Sequence, residues 1–211
     1  MARYTGPVCR LCRTESKKLF LKGERCHGSK CPISKKRNAP GKGPRFRSRK
    51  PSNYGIQLRE KQKLKRIYGM LEQQFRNLFE KAERMSGKTG DNLISLLETR
   101  LDNIVYRLRF ASSRSQARQL VSHGHVLVNG KRVTIPSFTV RENDAVEIQE
   151  KSRKLLAIKE GLKEYTRSGA APWLEVDPDN MRGTIKAVPR RSDVSDIAEV
   201  NEQLVVEHYS K

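Results

Sequence analysis

The stretch of residues 101–150 constrains the fold most, because its hydrophobic period changes from helical to strand-like within a few residues. Apolar residues first recur with the spacing of an amphipathic helix, at Leu101, Ile104, Val105 and Leu108. A second helix follows, and Gly124 is suited to end it in a left-handed conformation. Residues 126–133 then have strand character, and they contain Asn129-Gly130, which is typical of a two-residue hairpin turn. The stretch therefore predicts a helix-helix-hairpin module.

The predicted module carries basic side chains on one side. Ser113 and Gln116 are suited to cap the second helix as a capping box. The basic residues of this side are Arg114, Arg118, Lys131 and Arg132. A small rigid unit that presents arginines and backbone donors suits a phosphate backbone. Arginines on an amphipathic helix are also commonly a solvated face, so the module alone leaves both interpretations open.

Net charge narrows the class of partner. The 211 residues include 44 Lys plus Arg against 23 Asp plus Glu, which gives a formal net charge of +21. The first 50 residues carry 16 basic and 2 acidic side chains, so this quarter is the main predicted anion-binding region. No apolar run is long enough to span a bilayer and no secretory signal is present, so we expect a cytoplasmic protein without a membrane role.

All four cysteines lie in the first 31 residues, with the spacing C-x2-C-x13-C-x4-C. Two close pairs separated by a loop are typical of a structural metal site, so Cys9, Cys12, Cys26 and Cys31 are the candidate ligands. Zinc is favoured, and an iron–sulfur cluster is the alternative that the spacing also allows. Two disulfides would be a third outcome, which a reducing cytosol disfavours. His27 is interpreted as a loop side chain because four thiolates already complete a ligand shell.

The chain between the cysteines and residue 100 is predicted as a basic loop followed by helices. Residues 32–50 are rich in Pro, Gly and basic residues, and Phe46 would either stack on a base or anchor the loop. Ser52 is suited to begin a helix whose outer side is basic at Arg59, Lys61, Lys63, Lys65 and Arg66. Glu60 alone cannot pair with all five, so we expect a phosphate partner, with a merely solvated surface as the alternative.

The last third of the chain is predicted as a helix and further strands. Ser152 is suited to open a helix that buries Leu155, Ile158 and Leu162. Alternating residues at 173–176 and 184–188 predict strands that complete a sheet with the hairpin. Residues 204–209 also have strand character.

Four segments resemble one family, that of bacterial small-subunit ribosomal protein S-four. SRSQARQLVSHGHVLVNGKRV is similar to the RNA-binding module named after that family, which also occurs in some tRNA synthetases, pseudouridine synthases and heat-shock proteins. PSNYGIQLREKQKLKRIYGMLEQQFRNLF resembles its helical segment. MARYTGPVCRLCR and NEQLVVEHYSK resemble its two ends, so the likeness runs the full length.

The resemblance implies an α+β fold with a metal-clamped N-terminal arm, a helical domain, and the helix-helix-hairpin RNA-binding module extended by a small β-sheet. The implied domains are residues 1–50, residues 51–99 joined by the tail 197–211, and residues 100–196 with the module at 101–150. The implied function is structural: direct binding of 16S ribosomal RNA in its 5′ domain, nucleation of small-subunit assembly, and an influence on translational accuracy beside the channel through which mRNA enters. Implied partners are that RNA, neighbouring ribosomal protein S-five and mRNA, with no small-molecule substrate.

Residues carried over from the family fall into two groups. Those expected near mRNA are Arg45, Arg47, Arg49 and Lys50. Those expected on ribosomal RNA are Arg59, Lys61, Lys63, Lys65, Arg66, Arg114, Gln116, Arg118, Gln119, His123, His125, Lys131 and Arg132.

Two other classes of function stay open from the residues alone. An RNA-modifying enzyme would use the same module, but no glycine-rich phosphate loop, activated nucleophile or isolated carboxylate pair is present. A zinc-containing DNA-binding regulator would instead prefer a specific duplex to folded RNA.

Overall fold

A computed structural model describes residues 3–41, 43, 50–169 and 171–210, without the side chains of residues 157 and 164–168. The chain forms two compact units. The helical unit comprises Met1–Gly90 and Asp196–Lys211, and the sheet unit comprises Asp91–Ser195. The α-helices of the described residues are α1 Val8–Glu15, α2 Glu24–His27, α3 Asn53–Ile67, α4 Glu72–Glu83, α5 Thr89–Glu98, α6 Leu101–Arg107, α7 Arg114–Ser122, α8 Leu156–Ser168 and α9 Glu202–Tyr209.

The helical unit is organised around α3. Its N-terminus is capped as the sequence predicts, because the Gly55 amide donates to Ser52 Oγ at 3.1 Å. Helix α3 packs against α9 and also contacts α1. Apolar residues of α3 and α4, among them Leu64 and Phe75, are fully buried. The described helices include none that is long and apolar enough to cross a membrane.

The strand prediction for residues 204–209 is wrong, because this segment lies within helix α9. Asn201 caps the helix, and its Oδ1 accepts from the Gln203 amide at 3.0 Å. Tyr209 stacks on Phe79 with ring centroids 4.5 Å apart, and Val205 is fully buried. A run this short fits both a strand and a helix pattern, and packing against α3 decides between them.

The sheet unit contains one antiparallel sheet of five strands in the order β2-β1-β3-β5-β4. The strands are β1 Val126–Val128, β2 Lys131–Arg132, β3 Ala145–Ile148, β4 Leu174–Asp177 and β5 Arg182–Ile185. The strands predicted at 173–176 and 184–188 do extend the hairpin into a sheet, although the second one lies earlier, at Arg182–Ile185. Helix α6 packs against α7, and their apolar faces share one core with the sheet, which includes Ile104, Val121 and Trp173.

The predicted hairpin turn is confirmed. Asn129 and Gly130 both have positive φ, at 50° and 75°, and the register pairs Val128 with Lys131. The Asn129 side chain accepts from the Ala145 amide at 2.8 Å and donates to Asp144 at 2.7 Å. The turn is therefore tied to the neighbouring strand β3 as well as to its own hairpin.

The predicted helix after the sheet is present, but it does not begin at Ser152. Residues Glu150–Ser152 form a single 3-10 turn, and α8 begins at Leu156. Leu155 is exposed instead of buried, whereas Ile158 is fully buried as predicted. Ser152 is buried and its hydroxyl bonds to His125, so it serves the turn between α7 and β1 and not a helix N-terminus.

A buried carboxylate joins α5 to α6 within the sheet unit. Glu98 is 0% exposed and accepts from Arg107 Nε at 2.9 Å, Arg107 Nη2 at 2.8 Å and Asn103 Nδ2 at 2.8 Å. Arg107 is thus held in a two-pronged pair with the carboxylate, the geometry in which guanidinium binds most strongly. Because the carboxylate is fully buried, these donors replace its hydration.

We expect Glu98→Gln to lower the free energy of unfolding by about 3 kcal/mol, because Arg107 would keep its charge and lose a buried partner. Glu175→Gln is the matched control, since Glu175 pairs with Lys186 at 3.5 Å on the surface of the same unit. This control should change stability by no more than about 1 kcal/mol. Urea unfolding of both variants checks the prediction, and equal losses would contradict it.

Candidate nucleic-acid interface

The four cysteines lie close to one another in the arm of the helical unit. Cys9 and Cys12 are on α1, Cys26 is on α2, and Cys31 is in the following loop. Cys12, Cys26 and Cys31 are buried, Cys9 is half-buried, and none forms a disulfide. The interpretation of His27 as a loop side chain is wrong, because His27 is the last residue of α2; its ring is exposed and lies 5.1 Å from the ring of Phe20.

Backbone amides point at three of the sulfur atoms. The Lys22 amide donates to Cys26 Sγ at 3.3 Å, and the amides of Leu19 and Ser34 donate to Cys12 and Cys31. Burial raises the pKa of the Cys12 and Cys26 thiols, and the neighbouring cysteines raise it further. At Cys31, burial also acts to raise the pKa, but backbone donors and Lys18 outweigh it and the net direction is downward.

These thiols do not form a metal site in the structure. Within the described part of the chain, no three His, Cys, Asp or Glu side chains are grouped as metal ligands. The structure therefore does not show the expected metal clamp on the arm; it shows buried thiols that accept from backbone donors. The spacing brings the cysteines together but does not by itself impose tetrahedral positions.

The five basic residues predicted on the outer side of α3 all pair with carboxylates. Lys61 and Lys65 bind Glu72 at 2.6 and 2.7 Å. Lys63 binds Glu60 at 2.5 Å. The remaining two pairs join Arg59 and Arg66 to Glu15.

The prediction assumed that Glu60 was the only carboxylate within reach of these five residues. This assumption is wrong, because α1 supplies Glu15 and α4 supplies Glu72. Lys61 and Lys63 are also buried and not on an exposed side. The hydrogen bonds from Lys61 and Lys65 lower the pKa of Glu72 to about 2 although burial opposes them. Burial raises the pKa of Glu15, and Arg59 and Arg66 only partly offset this.

Arg118 of the module points inward. It is 8% exposed and its Nη1 lies 3.2 Å from Asp102, which Arg100 also binds at 3.0 Å. Arg114 and Arg118 therefore do not form one exposed basic side as predicted, because Arg118 of α7 is buried against Asp102 of α6. Arg118 therefore stabilises the fold, since its removal would leave the buried Asp102 carboxylate with fewer hydrogen-bond donors.

Arg114 lies over an aromatic ring. Its guanidinium carbon is 4.5 Å from the centroid of Tyr106, and its Nε donates to Asn103 at 2.9 Å. Arg107 and Arg109 lie at 6.0 and 5.9 Å from the same centroid. Neither arginine is among the candidate RNA-binding residues, although their positions beside Tyr106 in the sequence would have indicated the cluster.

The capping prediction for α7 is half right. Ser113 Oγ accepts from the Gln116 amide at 3.3 Å, as predicted. The Gln116 side chain, however, accepts from the amide and hydroxyl of Ser112, not from the amide of Ser113. Gln116 therefore has a structural task in addition to its candidate role on RNA.

The exposed candidates gather at the end of α7 and on the hairpin. Gln119, His123, Lys131 and Arg132 are exposed, and His125 is half-buried with Nδ1 2.8 Å from Ser152 Oγ. Lys131 and Arg132 are adjacent on the edge strand β2. Among the described residues, neither side chain has a hydrogen bond or an ion pair, so both charges face solvent.

Some candidates cannot be placed. Arg45, Arg47 and Arg49, together with Phe46, lie outside the described residues, while Lys50 is described and exposed. The arm also exposes basic residues that the candidate set did not include. Among these are Arg10, Lys22, Arg25, Lys30, Lys35 and Arg37. The charge excess of the first 50 residues would have indicated them.

The chain resembles known proteins over its whole length. Residues 3–98 match the family description "Ribosomal protein S4/S9 N-terminal domain", and residues 99–146 match "S4 domain". The chain is 57% identical to small ribosomal subunit protein uS4 of Geotalea daltonii and 57% identical to that of Pelobacter propionicus. The protein of the same name from Geobacter sulfurreducens is 54% identical.

Each of these alignments spans 211 residues and covers 100% of both proteins. The helix-helix-hairpin geometry of residues 101–132 falls within the segment that matches the S4 domain, and α1 to α5 fall within the other matched segment. The resemblance to the S-four family is therefore confirmed across both units. On this ground, the chain belongs to the family of small ribosomal subunit protein uS4.

Proposed function

We propose that the chain is a structural constituent of the small ribosomal subunit, that it binds 16S ribosomal RNA directly, and that it works in the cytoplasm as part of the ribosome. The observation that carries this is the identity of 54–57% to uS4 relatives along the entire chain. Those relatives are named as ribosomal proteins and not as enzymes. The function is therefore binding, and the RNA-modifying alternative has no support from them.

The mechanism is positional. Exposed cations on rigid elements neutralise phosphates, and each phosphate contact fixes the register of the RNA without reading its sequence. In the sheet unit, Lys131, Arg132 and His123 are presented by the hairpin and by the end of α7. In the helical unit, the exposed cations of the arm supply most of the outward charge, because those of α3 are paired within the protein.

The finer parts of the function rest on the family resemblance. These are contact with the 5′ domain of 16S ribosomal RNA, nucleation of subunit assembly, and an influence on translational accuracy. Ribosomal protein S-five would be a neighbour. Arg45, Arg47, Arg49 and Lys50 would border the channel through which mRNA enters, where a run of positive charge suits a single-stranded backbone.

We also propose that Cys9, Cys12, Cys26 and Cys31 bind zinc, with an iron–sulfur cluster as the alternative outcome. Three observations support this: the paired spacing, the burial of three thiols, and the amide donors aimed at their sulfur atoms. Amide donors to ligand atoms are the usual second layer of a metal site. Binding would require the four sulfur atoms to draw together, and the metal would be structural because four thiolates leave no open position.

Binding to a 16S ribosomal RNA 5′-domain transcript should be strongly salt-dependent. If about six phosphates or more are neutralised, affinity should fall roughly a thousandfold or more between about 50 and 200 mM salt. Filter binding across that range, with a duplex DNA of equal length as competitor, checks this. A flat salt response would remove the phosphate mechanism, and a preference for the duplex would favour a DNA-binding regulator.

Arg118→Ala and Lys131→Ala should separate structure from binding. Arg118→Ala should lower the free energy of unfolding by about 1–3 kcal/mol, because Asp102 loses a buried donor. Lys131→Ala should leave stability within about 0.5 kcal/mol. It should, however, reduce the salt slope of RNA binding by roughly one unit. Thermal unfolding and salt titration of RNA binding test both variants. The assignment is wrong if Arg118→Ala reduces the salt slope without loss of stability and Lys131→Ala lowers stability without a change in the salt slope.

Zinc binding predicts that the full chain, purified without chelator, contains one zinc per molecule. Cys31→Ser should abolish that stoichiometry and raise amide exchange in the arm, because a metal site rarely survives the loss of a thiolate. Lys30→Ser is the control. The Lys30 side chain is exposed, so this variant should retain the metal. If the parent protein contains iron and acid-labile sulfide instead of zinc, the site holds an iron–sulfur cluster. If the parent protein contains neither zinc nor iron, the proposal is wrong.

A further inference from the structure

The last residues of the chain complete the helical unit. Residues 196–210 belong to this unit, although the whole sheet unit precedes them in the sequence. Their buried side chains are Ile197, Val200 and Val205. An isolated helix of eight residues such as α9 is not stable in water, so its conformation depends on packing against the rest of the unit.

Polar contacts tie this segment to α3 at two places. The Asn201 amide, at the start of α9, donates to Glu60 Oε2 at 3.2 Å. Near the other end of α9, Glu207 accepts from Gln57 Nε2 at 2.9 Å. Both partners lie on α3, so the segment is fixed along this helix and not at a single point.

Tyr209 ties the end of the segment to α4. Its hydroxyl donates to Glu72 Oε1 at 3.0 Å, and its ring stacks on Phe79 with centroids 4.5 Å apart. Lys61 Nζ lies 5.3 Å from the centroid of the same ring. Burial raises the pKa of Tyr209 and the Glu72 charge raises it further, so the phenol stays protonated and able to donate.

A glycine of α5 gives this segment room to pack. Gly90 lies in the first turn of α5, and its φ is not in the left-handed region. A β-carbon at residue 90 would lie 2.9 Å from Glu202 Cγ and 3.3 Å from Glu202 Cβ. Alanine is intrinsically favoured over glycine in a helix. The glycine is therefore explained by the close approach of α9 and not by the backbone conformation of α5.

These contacts indicate that the segment can open by itself. Its partners Gln57, Glu60, Glu72 and Gly90 all belong to the helical unit. The segment is a chain end with three buried side chains, so it can leave without unfolding the sheet unit. Segments with few buried apolar contacts open at a lower free energy than the whole protein unfolds.

We infer that residues 196–210 form a latch, which docks on the helical unit and leaves it as one cooperative segment while the sheet unit stays folded. Gly90 is a positioning residue for the latch, because it leaves the room that Glu202 occupies. When the latch opens, Glu72 loses a donor and Phe79 loses the ring that covers it. The latch goes beyond the proposed function, since it acts in the protein without RNA.

Amide exchange of the full chain, measured by mass spectrometry, tests the latch. In the parent protein, the hydrogen-bonded amides of α9 should exchange roughly tenfold faster, or more, than those of α6 and β3. Gly90→Ala should raise exchange in α9 roughly tenfold further, because the added carbon overpacks the contact with Glu202. The only tryptophan, Trp173, lies in the core of the sheet unit, so its fluorescence transition in urea should not change.

Gly55→Ala is the matched control. Gly55 lies in the first turn of α3, and a β-carbon there would meet only Ser52 and Pro51, the nearest atom at 3.3 Å. This variant should not raise exchange in α9. Glu202→Ala removes Cγ, so in that background Gly90→Ala should add no further increase.

Three results would overturn the inference. The amides of α9 could exchange as slowly as those of α6 in the parent protein, or Gly90→Ala and Gly55→Ala could affect α9 equally. The third is an effect of Gly90→Ala that persists in the Glu202→Ala background. None of these measurements uses RNA, so failure of the proposed function would be seen separately.

Tyr209→Phe gives a second test that does not depend on whether Gly90→Ala folds. This variant keeps the ring and removes only the bond to Glu72. Loss of a hydrogen bond to a charged group should raise exchange in α9 roughly tenfold and leave the fluorescence transition unchanged. Unchanged exchange in α9, or an equal increase in α6, would contradict the latch.

Discussion

Pairing of buried basic residues with carboxylates is the constraint on which both units depend. A chain with a net charge of +21 cannot bury Lys61 and Lys63 on α3 unless negative partners reach them. Glu72 from α4 and Glu60 from α3 itself supply those partners, and Glu15 from α1 holds the neighbouring arginines. The same physics binds Glu98 to Arg107 and Asp102 to Arg118 in the sheet unit.

This pairing decides which cations are left for RNA. A lysine that already binds a carboxylate at 2.6 Å releases little additional free energy when a phosphate approaches, because one partner must replace the other. Exposed residues without such a partner, like Lys131, have only water to lose. The outward charge of the helical unit therefore comes from the arm, while α3 uses its charge to join α1 and α4 to itself.

The parts of the fold that could be predicted from sequence are those set by a few neighbouring residues. Ser52 as a cap, Asn129-Gly130 as a turn and Gly124 in a left-handed conformation each follow from local backbone chemistry. The partners of α3 could not be predicted, since Glu15 is 44 residues from Arg59 and only the packing of α1 brings them together. The helix at residues 204–209 could not be predicted for the same reason, since its contacts with α3 include the hydrogen bond from Gln57 to Glu207, 150 residues away. The cysteine spacing, likewise, indicates which thiols approach one another and does not fix their coordination.

Arg118 and Arg132 show why the candidate site could be predicted only in part. Both are arginines of one module, and sequence pattern assigns them to the same basic side. Asp102 lies within 3.2 Å of Arg118 and removes it from the surface, whereas Arg132 extends over a glycine and meets no carboxylate among the described residues. The role of each arginine is set by what the neighbouring backbone allows to approach it.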